Sequence, residues 1–410
     1  MDSNMFVGLD IGTTKIACII TELGENGQLK VIGVGISPSD GLRKGAVVDI
    51  AKTVNSIKKA VEEAELMAGV DVDAVWVGIA GSHINNINSN GVVAIDKEIT
   101  KEDIERAIDS AKAVQISKDR EILHIIPQEF IVDDQKGIKD PLGMCGVRLQ
   151  TKIHIITGAI ASAQNIMKCV ENAGLRVIDL VLEPLASSYA VLEKDEKELG
   201  VALIDIGGGT TDVAIYFDES IRHSAVVAFG GSNVTKDIAM VLGTPIEKAE
   251  EIKKANGCAY LPLLRGKEFI NVPGGLGGHD DREVERETVV NIIEPRVEEI
   301  LSHVLREIER TEYADMLGAG IVLTGGGSLM EGMRDKAESI FKLPVKLGVP
   351  SRFGGLTEAA RSPAHATGIG LCMYAAEMCG GDKKGKKGGG GNSNYRSAID
   401  KMISWAKEFF

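Results

Sequence analysis

The pattern of apolar and polar positions predicts two similar β-hairpins at widely separated places in the chain. In the second hairpin, an apolar strand over 201–204 ends at Asp205, three glycines follow, and a strand over 213–216 returns. Glycines have no side chain, so the backbone N–H groups of such a turn can approach an anion closely. Residues 6–20 repeat the arrangement, with Asp10 before a glycine-threonine turn. The repetition predicts a duplicated fold with two phosphate-binding turns that face each other.

A third glycine-rich stretch lies at 320–328, where the pattern predicts a strand, a glycine turn and the start of a helix. A single glycine turn between strands is usually only a turn. Two Asp-Ile-Gly turns with threonine pairs, together with this third turn, are much more specific for a bound phosphate compound.

Apolar spacing predicts the remaining elements of the first half. We expect strands at 29–36, 75–80 and 176–182, and helices at 54–67 and 162–173. Residues 83–162 interrupt this series and are interpreted as an inserted α/β module. Its predicted parts are a polar, turn-rich stretch at 82–91, a helix at 103–113 preceded by a capping box of Thr100 and Asp103, and strands at 121–126, 129–132 and 148–157.

The same analysis applies to the rest of the chain. It predicts helices at 247–256, 289–308 and 362–378, and a glycine-rich, charged surface loop at 271–283.

Composition adds a constraint on partners and cofactors. The chain has 410 residues, enough for more than one domain, and a formal net charge of −13. An acidic protein lacks the basic surface that nucleic acid requires, so we expect no nucleic-acid partner. The same charge would oppose a free triphosphate, and we therefore expect Mg²⁺ to accompany any bound nucleotide.

Other residue types predict the compartment. Six scattered cysteines with no Cys-x-x-Cys pair, and no signal sequence at the N-terminus, indicate a cytoplasmic protein with reduced thiols. No apolar run is long enough to span a membrane. His124 and His154 lie in apolar strands, and we interpret them as structural histidines rather than metal ligands.

The C-terminal residues differ in character from the body. Residues 380–394 are rich in glycine and lysine and predict a flexible linker. Residues 395–410 predict an amphipathic helix that lies on a membrane surface. The alternative, a helix that docks on this protein's own body or on a partner, is less favoured because the glycine linker is long. The membrane-facing residues would be Ile399, Met402, Ile403, Trp405, Phe409 and Phe410.

The three glycine motifs resemble the phosphate-one, phosphate-two and adenosine motifs of the actin-like ATPase superfamily. That resemblance implies an α/β, actin-like (ribonuclease H-like) duplicated two-domain fold with a central nucleotide cleft, and ATP with Mg²⁺ as cofactors. A sugar kinase, a chaperone ATPase and an MreB-type filament protein remain alternatives. A kinase would need no amphipathic tail, a chaperone ATPase would need a peptide-binding domain after the cleft, and MreB lacks a module at 83–162.

Further stretches resemble the FtsA family of bacterial cell-division proteins over nearly the whole chain. They lie at 124–133, 137–143, 146–149, 243–245 and 293–296. The resemblance implies an ATP-binding protein, at most a slow ATPase, that polymerises with copies of itself. It implies a peripheral membrane protein that tethers FtsZ to the cytoplasmic face of the membrane at the division site. The C-terminal tail of FtsZ would dock on 229–301, and later division proteins would bind 83–162.

The resemblance also divides the chain into subdomains. They are a first actin-like core (1–82 with 163–195 and 355–379), the inserted FtsA-specific subdomain (83–162), a second actin-like core (196–228 with 302–354), a small upper subdomain (229–301), the linker (380–394) and the membrane-targeting helix (395–410).

Carried over to this sequence, the superfamily motifs imply a set of site residues. Asp10 and Asp205 would orient hydrated Mg²⁺, and Glu183 would orient an attacking water. Alternatively, Glu183 only caps a helix that begins at Pro184. The nucleotide-binding residues would be Gly12, Thr13, Thr14, Lys15, Gly207, Gly208, Gly209, Thr210, Thr211, Glu250, Glu251, Lys253, Gly325, Gly326, Gly327 and Ser328.

Overall fold

Two sheets, each built around one of the predicted hairpins, carry the two halves of the molecule. The structure, a computed structural model, describes residues 4–25, 27–274 and 280–382. The predicted amphipathic helix at 395–410, and the predicted linker from residue 383 onward, lie outside the described residues. Within the described ranges, no helix is long and apolar enough to cross a membrane.

The first half opens with the predicted hairpin, strands and helix, and with a short hairpin, β4–β5, that was not predicted. They are β1 (Met5–Ile11), β2 (Lys15–Leu23), β3 (Leu29–Pro38), β4 (Leu42–Arg43), β5 (Ala46–Val47), α1 (Ile50–Ala68) and β6 (Ala74–Ile79). Helix α1 begins where the Asp49 side chain accepts a hydrogen bond from the backbone N–H of Lys52. It ends at Gly69, whose φ of 70° is left-handed and suits a glycine.

The inserted module contains four strands and a helix within its described residues. They are β7 (Asn85–Ala94), α2 (Lys101–Lys112), β8 (Arg120–Val132), β9 (Gln135–Ile138) and β10 (Arg148–Ala159). The predicted capping box is confirmed, since Thr100 and Asp103 bond to each other's backbone N–H. The strands form a sheet in the order β7-β10-β8-β9.

Two predictions within this module are wrong. The strands predicted separately at 121–126 and 129–132 form one strand, β8, which passes Pro127 at a register shift against β10. A shift of this kind accommodates a residue that has no N–H to donate. The stretch predicted at 82–91 to be rich in turns is mostly strand β7. Two of its asparagine side chains hydrogen-bond to the second half of the molecule.

The inserted module packs against an edge strand of the second half, β14 (Ser220–Val227). Asn88 Nδ2 donates to the carbonyl oxygen of Arg222 at 3.2 Å, and Asn86 Nδ2 donates to that of Ser224. Gln128 Nε2, in the irregular part of β8, donates to the carbonyl oxygen of Ile221 at 2.9 Å. Amide side chains therefore satisfy backbone acceptors that would otherwise lie at an open edge.

Both histidines predicted to be structural are confirmed as such. His154 is fully buried and lies 2.6 Å from Asn88 Oδ1 and 3.1 Å from Ser224 Oγ, so it joins the module to β14. Burial, with a smaller contribution from His223, lowers the pKa of His154 to about 3. His124 accepts a hydrogen bond from the backbone N–H of Leu182 at 3.0 Å.

After the insertion the chain completes the first half and builds the second. The elements are α3 (Ile160–Asn172), β11 (Arg176–Leu182), α4 (Glu183–Val191), α5 (Lys194–Leu199), β12 (Val201–Ile206), β13 (Thr211–Phe217), β14, α6 (Gly231–Leu242), α7 (Ile246–Asn256), β15 (Phe269–Val272), β16 (Arg282–Glu285), α8 (Arg286–Glu309), β17 (Ile321–Thr324), α9 (Met333–Phe341), β18 (Val345–Leu347), β19 (Gly354–Gly355), α10 (Thr357–Ala360) and α11 (Ala366–Asp382).

The prediction of a surface loop at 271–283 is partly wrong. Strands β15 and β16 pair antiparallel, with Val272 opposite Arg282. The prediction relied on glycine content, whereas the ends of the stretch alternate apolar and polar residues: in β15, Ile270 and Val272 are buried.

The two sheets repeat one plan. The first has the order β11-β6-β1-β2-β3-β19 and the second β14-β13-β12-β17-β18. In each, an antiparallel hairpin adjoins a parallel strand on its first member, β6 beside β1 and β17 beside β12.

Helices α4 and α11 cross at close range, since a Cβ on Gly370 would collide with the carbonyl oxygen of Ala186. Small residues are needed at that crossing.

Candidate nucleotide site

The two predicted glycine turns have the same hydrogen-bonded geometry. In the first, the N–H of Gly12 donates to the carbonyl oxygen of Lys15 at 3.0 Å. In the second, the N–H of Gly207 donates to that of Thr210 at 2.9 Å. Each turn connects the two strands of a hairpin directly after an Asp-Ile pair. The duplication inferred from sequence therefore extends to the backbone.

The two turns face each other in contact. A Cβ built on Gly208 would collide with the side chain of Thr14, and one on Gly209 would lie 2.5 Å from Thr13 Oγ1. Thr13 also accepts a hydrogen bond from the N–H of Gly45 at 3.1 Å, which ties the β4–β5 hairpin to the first turn. The glycine turns thus meet at one place between the halves.

Asp10 and Asp205 lie buried behind these turns. Asp205 Oδ2 accepts a hydrogen bond from Ser187 Oγ at 2.8 Å and one from Thr367 Oγ1 at 3.4 Å. Burial raises the pKa of Asp10 to about 6; Lys15 opposes that rise and Asp205 adds to it. Burial also raises the pKa of Asp205. Two carboxylates of raised pKa in one buried region favour a cation.

A third carboxylate, Asp212, was missed by sequence reasoning. It pairs directly with Asp205 across the β12–β13 hairpin and is 3 % exposed. Its Oδ2 accepts a hydrogen bond from Thr210 Oγ1 at 3.2 Å, and its Oδ1 is buried with no partner. Burial first, and then Asp205, raise the pKa of Asp212 to about 8. The signal was available, because the predicted hairpin register already places residues 205 and 212 opposite each other.

Glu183 is the first residue of α4, and the position before it, Leu182, provides no side-chain cap. The interpretation of Glu183 as a helix cap is therefore wrong. Burial raises the pKa of Glu183 well above its usual value, and Asp10, Asp212 and Asp205 add to the rise. Glu183 thus belongs to the same electrostatic cluster.

Lys15 supplies a positive charge at this cluster. Its Nζ donates to the carbonyl oxygen of Ala364 and lies 3.4 Å from His365 Nδ1. Burial lowers the pKa of Lys15, whereas Asp10, Asp205 and Glu183 act in the opposite direction. One lysine partly offsets the repulsion among the acidic groups.

The third glycine motif adjoins the second turn. Gly325 follows β17 with a φ of 83°, and a Cβ there would collide with Asp205 Oδ1. A Cβ on Gly327 would collide with the side chain of Ile206. Ser328 Oγ donates to the carbonyl oxygen of Gly325 at 2.7 Å. The loop needs glycine for its conformation and for its close approach to β12.

Helix α7 brings two of its three predicted residues to this region. Lys253 Nζ donates to the carbonyl oxygen of Gly231 at 3.2 Å and pairs with Glu250 at 2.6 Å. Gly231 in turn donates from its N–H to the carbonyl oxygen of Gly207 at 2.9 Å. Glu251 does not join this group: it pairs with Lys248 at 2.8 Å, and its side chain is 66 % exposed.

The donor set suits a hydrated divalent cation. Within the ranges that the structure describes, no group of three His, Cys, Asp or Glu side chains could hold a metal ion by itself. Mg²⁺ commonly keeps several waters and binds one or two carboxylates together with substrate phosphates. The buried carboxylates and the unpartnered oxygen of Asp212 fit such an ion, provided that phosphate and water complete its coordination.

Solved structures share this fold. The chain superposes on a structure titled "PilM-PilN type IV pilus biogenesis complex" with a TM-score of 0.67 and 17% identity, over 91% of this chain and 98% of that one. It superposes on MreB5 of Spiroplasma citri bound to ADP with a TM-score of 0.59 and 15% identity, over 94% of this chain and 100% of that one. These likenesses show an actin-like fold.

Sequence comparisons are more specific. Residues 202–370 match the family "Cell division protein FtsA", and residues 81–157 match the "SHS2 domain inserted in FTSA". Cell division protein FtsA of Pseudomonas aeruginosa is 50% identical, with 91% of this chain and 89% of that protein covered. FtsA of Escherichia coli K12 is 40% identical, with 100% and 99% covered. At such identity over nearly its full length, the chain belongs to the FtsA family of actin-like cell-division proteins.

Proposed function

We propose that this division protein binds ATP with Mg²⁺ in the cleft between its halves. The observation that carries the proposal is the contact between the two glycine turns directly in front of the buried carboxylates. The structure of MreB5 bound to ADP supports it, because that protein has the same fold. The bound cation would supply positive charge to phosphate oxygens.

Each motif has a distinct part in this proposal. The turn from Gly12 to Lys15 holds phosphates from one side, with backbone N–H groups, hydroxyls and one ammonium. The turn from Gly207 to Thr211 holds them from the other side. Asp10 and Asp205 accept hydrogen bonds from the waters of the cation. The third motif, Gly325 to Ser328, lets adenine lie against backbone, and Glu250 and Lys253 of α7 contact the ribose side.

Hydrolysis in this site would be slow. Glu183 is the group that would orient an attacking water, but burial among other carboxylates raises its pKa. A raised pKa makes the unprotonated form of this carboxyl less available as a proton acceptor. We propose that the protein acts chiefly as a nucleotide-dependent scaffold.

The glycine contact provides the first test. Replacing Gly208 with Ala places a methyl group against Thr14 and should separate the two turns. We expect ATP·Mg²⁺ affinity, measured by calorimetry, to fall by at least about tenfold, a change of roughly 1.4 kcal/mol. Gly354→Ala is the matched control, since its Cβ would meet only Lys30 at 3.7 Å. Unchanged ATP affinity in Gly208→Ala would refute the placement of the phosphates.

We further propose that the protein polymerises and tethers FtsZ filaments to the cytoplasmic face of the membrane. The relatives' shared name supports a role in division. The small upper subdomain at 229–301 would dock the FtsZ C-terminal tail, and the inserted module would contact later division proteins. The helix at 395–410 would provide the membrane contact as a peripheral anchor.

The energetics favour membrane binding by assembled copies. Burying the five large apolar side chains of the stripe, leaving out Trp405 at its edge, contributes roughly 10 kcal/mol, at about 2 kcal/mol each. Ordering the backbone of the tail costs about 1 kcal/mol or more for each of its residues. A single tail therefore binds reversibly, and several tails on one polymer bind far more tightly.

Two neighbouring tail residues allow a matched test. Ile403 lies in the apolar stripe and Ser404 on the opposite face of the predicted helix. Ile403→Glu should abolish co-sedimentation with anionic liposomes, whereas Ser404→Glu, with the same added charge, should retain most of it. Equal pelleting of the two variants would remove the membrane-anchor proposal.

A further inference from the structure

A short turn before the last helix links the glycine motifs of the two halves. The 3-10 turn Pro363–His365 accepts, at the carbonyl oxygen of Pro363, hydrogen bonds from the N–H of Gly325 at 3.1 Å and from Thr324 Oγ1 at 3.3 Å. On its other side, the next carbonyl oxygen, that of Ala364, accepts from Lys15. The turn therefore joins the third motif to the first.

Lys15 meets only uncharged acceptors at this turn. Its ammonium contacts the Ala364 carbonyl oxygen and the imidazole of His365. Asp10, Asp205 and Glu183 are close enough to raise its pKa. Within the part of the chain that the structure describes, however, the polar contacts of the Lys15 ammonium are with Ala364 and His365, and these carboxylates act on it only from a greater distance. The lysine is held beside the carboxylates without being neutralised by one of them.

His365 can accept a hydrogen bond from Lys15 only as the neutral ring with its proton on Nε2. It is 7 % exposed, and burial, with the charge of Lys15, lowers its pKa to about 4, so the ring is neutral near neutral pH. An ammonium group has donors and no acceptor. The ring nitrogen nearest Lys15, Nδ1 at 3.4 Å, must therefore present a lone pair, and the ring proton must lie on Nε2.

We propose that His365 is a positioning residue for nucleotide binding: together with the Ala364 carbonyl it keeps the Lys15 ammonium on uncharged acceptors. Neutral acceptors bind an ammonium less strongly than carboxylates do. Lys15 can therefore exchange them for phosphate oxygens at low cost, while Asp10 and Asp205 stay free for a hydrated cation. Without His365, the ammonium would move onto a carboxylate and be lost to both partners. This inference rests on the proposed nucleotide function.

The test compares two substitutions in the full-length chain. His365→Leu removes the acceptor at similar volume, and His365→Asn keeps an uncharged acceptor. We expect His365→Leu to weaken ATP·Mg²⁺ binding about tenfold and His365→Asn to stay close to wild type. Adenosine, which has no phosphate for Lys15 to contact, should bind all three proteins equally. A purely structural role would weaken adenosine as much as ATP.

The His365→Leu substitution in a Lys15→Met variant tests whether His365 affects nucleotide binding through Lys15. There, adding His365→Leu should cause no further loss, because the residue it positions is already gone. An equal loss in both backgrounds, or no loss with His365→Leu alone, would overturn the inference. If wild type itself failed to bind ATP, the proposed function would fail instead.

NMR of the wild-type protein tests the protonation of His365 without relying on the folding of a variant. Nitrogen NMR of labelled histidines should show His365 neutral at pH 7, with the proton on Nε2, and its Nδ1 signal should shift on addition of ATP·Mg²⁺ but not of adenosine. A proton on Nδ1 in the nucleotide-free protein would overturn the inference, because that nitrogen could not accept from Lys15.

Discussion

At the scale of single residues, the main feature of the site is a group of buried carboxylates whose negative charges are only partly compensated. Asp212 and Asp205 face each other across a tight hairpin, and one oxygen of Asp212 is buried without a partner. Leaving a buried polar atom unsatisfied costs about 1–3 kcal/mol. The proposed cation, with its waters, would give this oxygen a partner.

The titration of Asp212 has a consequence for stability. Its pKa is raised from 3.8 to about 8, so above pH about 4 the folded protein holds a proton that the unfolded chain releases. The free energy of unfolding should therefore fall as pH rises from about 4 to about 8. Asp212→Asn should reduce that fall, as measured by urea unfolding at several pH values without nucleotide.

The control for this experiment is Asp71→Asn, at an exposed position before β6. That variant should keep the pH dependence of wild type. The explanation would be wrong if Asp212→Asn and wild type lost the same free energy over the range.

At the scale of elements, the contact between the inserted module and β14 depends on side chains that bond to backbone. His154 is central, because it reaches Asn88 within the module and Ser224 on β14. Strand β14 pairs in turn with β13, where Asp212 lies opposite Val226 of β14. The module is therefore one strand away from the proposed nucleotide site.

We expect His154→Leu to destabilise this contact selectively. The substitution removes the hydrogen-bond partner of Ser224 Oγ and leaves Asn88 Oδ1 only the 3.5 Å contact from Gln128 Nε2, at a cost of about 1–3 kcal/mol. Hydrogen exchange of the β14 amides should accelerate under native conditions. His124→Leu makes the same change at a histidine bonded to Leu182 rather than to β14, and should leave β14 exchange unaltered. Equal acceleration in both variants would contradict a specific role.

The elements also show what sequence could and could not predict. The hairpins, the glycine turns and α1 depend on local patterns, and the structure confirms them. Strand β7 was missed because asparagine normally disfavours strands, and its partner carbonyls lie more than a hundred residues away in the chain. The role of the turn 363–365 was missed for the same reason: its contacts with Lys15 and Gly325 are made only by the folded chain.

At the scale of the whole molecule, the two halves have separate sheets, and no sheet among the described residues runs through both. They are connected by α4, whose Ser187 and Ser188 hydrogen-bond to Asp205 and Tyr216 of the second sheet, by the facing glycine turns and by the inserted module. A ligand held between the turns would contact both halves at once. Binding to the folded state alone stabilises it by RT ln(1 + [L]/Kd).

We therefore expect ATP·Mg²⁺ to protect both hairpins together. At 100 times the Kd, the stabilisation is about 2.7 kcal/mol, and the thermal unfolding midpoint should rise accordingly. Hydrogen exchange should slow in β1–β2 and in β12–β13 to a similar degree. Adenosine at matched occupancy is the control and should protect mainly the loop after β17. Protection of one hairpin by ATP without the other would contradict a shared site.

The amide side chains that cover β14 have a consequence for assembly. Because the carbonyl oxygens of Ile221, Arg222 and Ser224 are already engaged, β14 is a poor template for an extended peptide that binds by β-augmentation or for edge-to-edge pairing with another copy. At the other end of that sheet, β18 spans only Val345–Leu347, a short template for any incoming strand. The polymers proposed above should therefore grow by docking of folded surfaces and remain free of cross-β character, so thioflavin fluorescence should stay at baseline while light scattering rises.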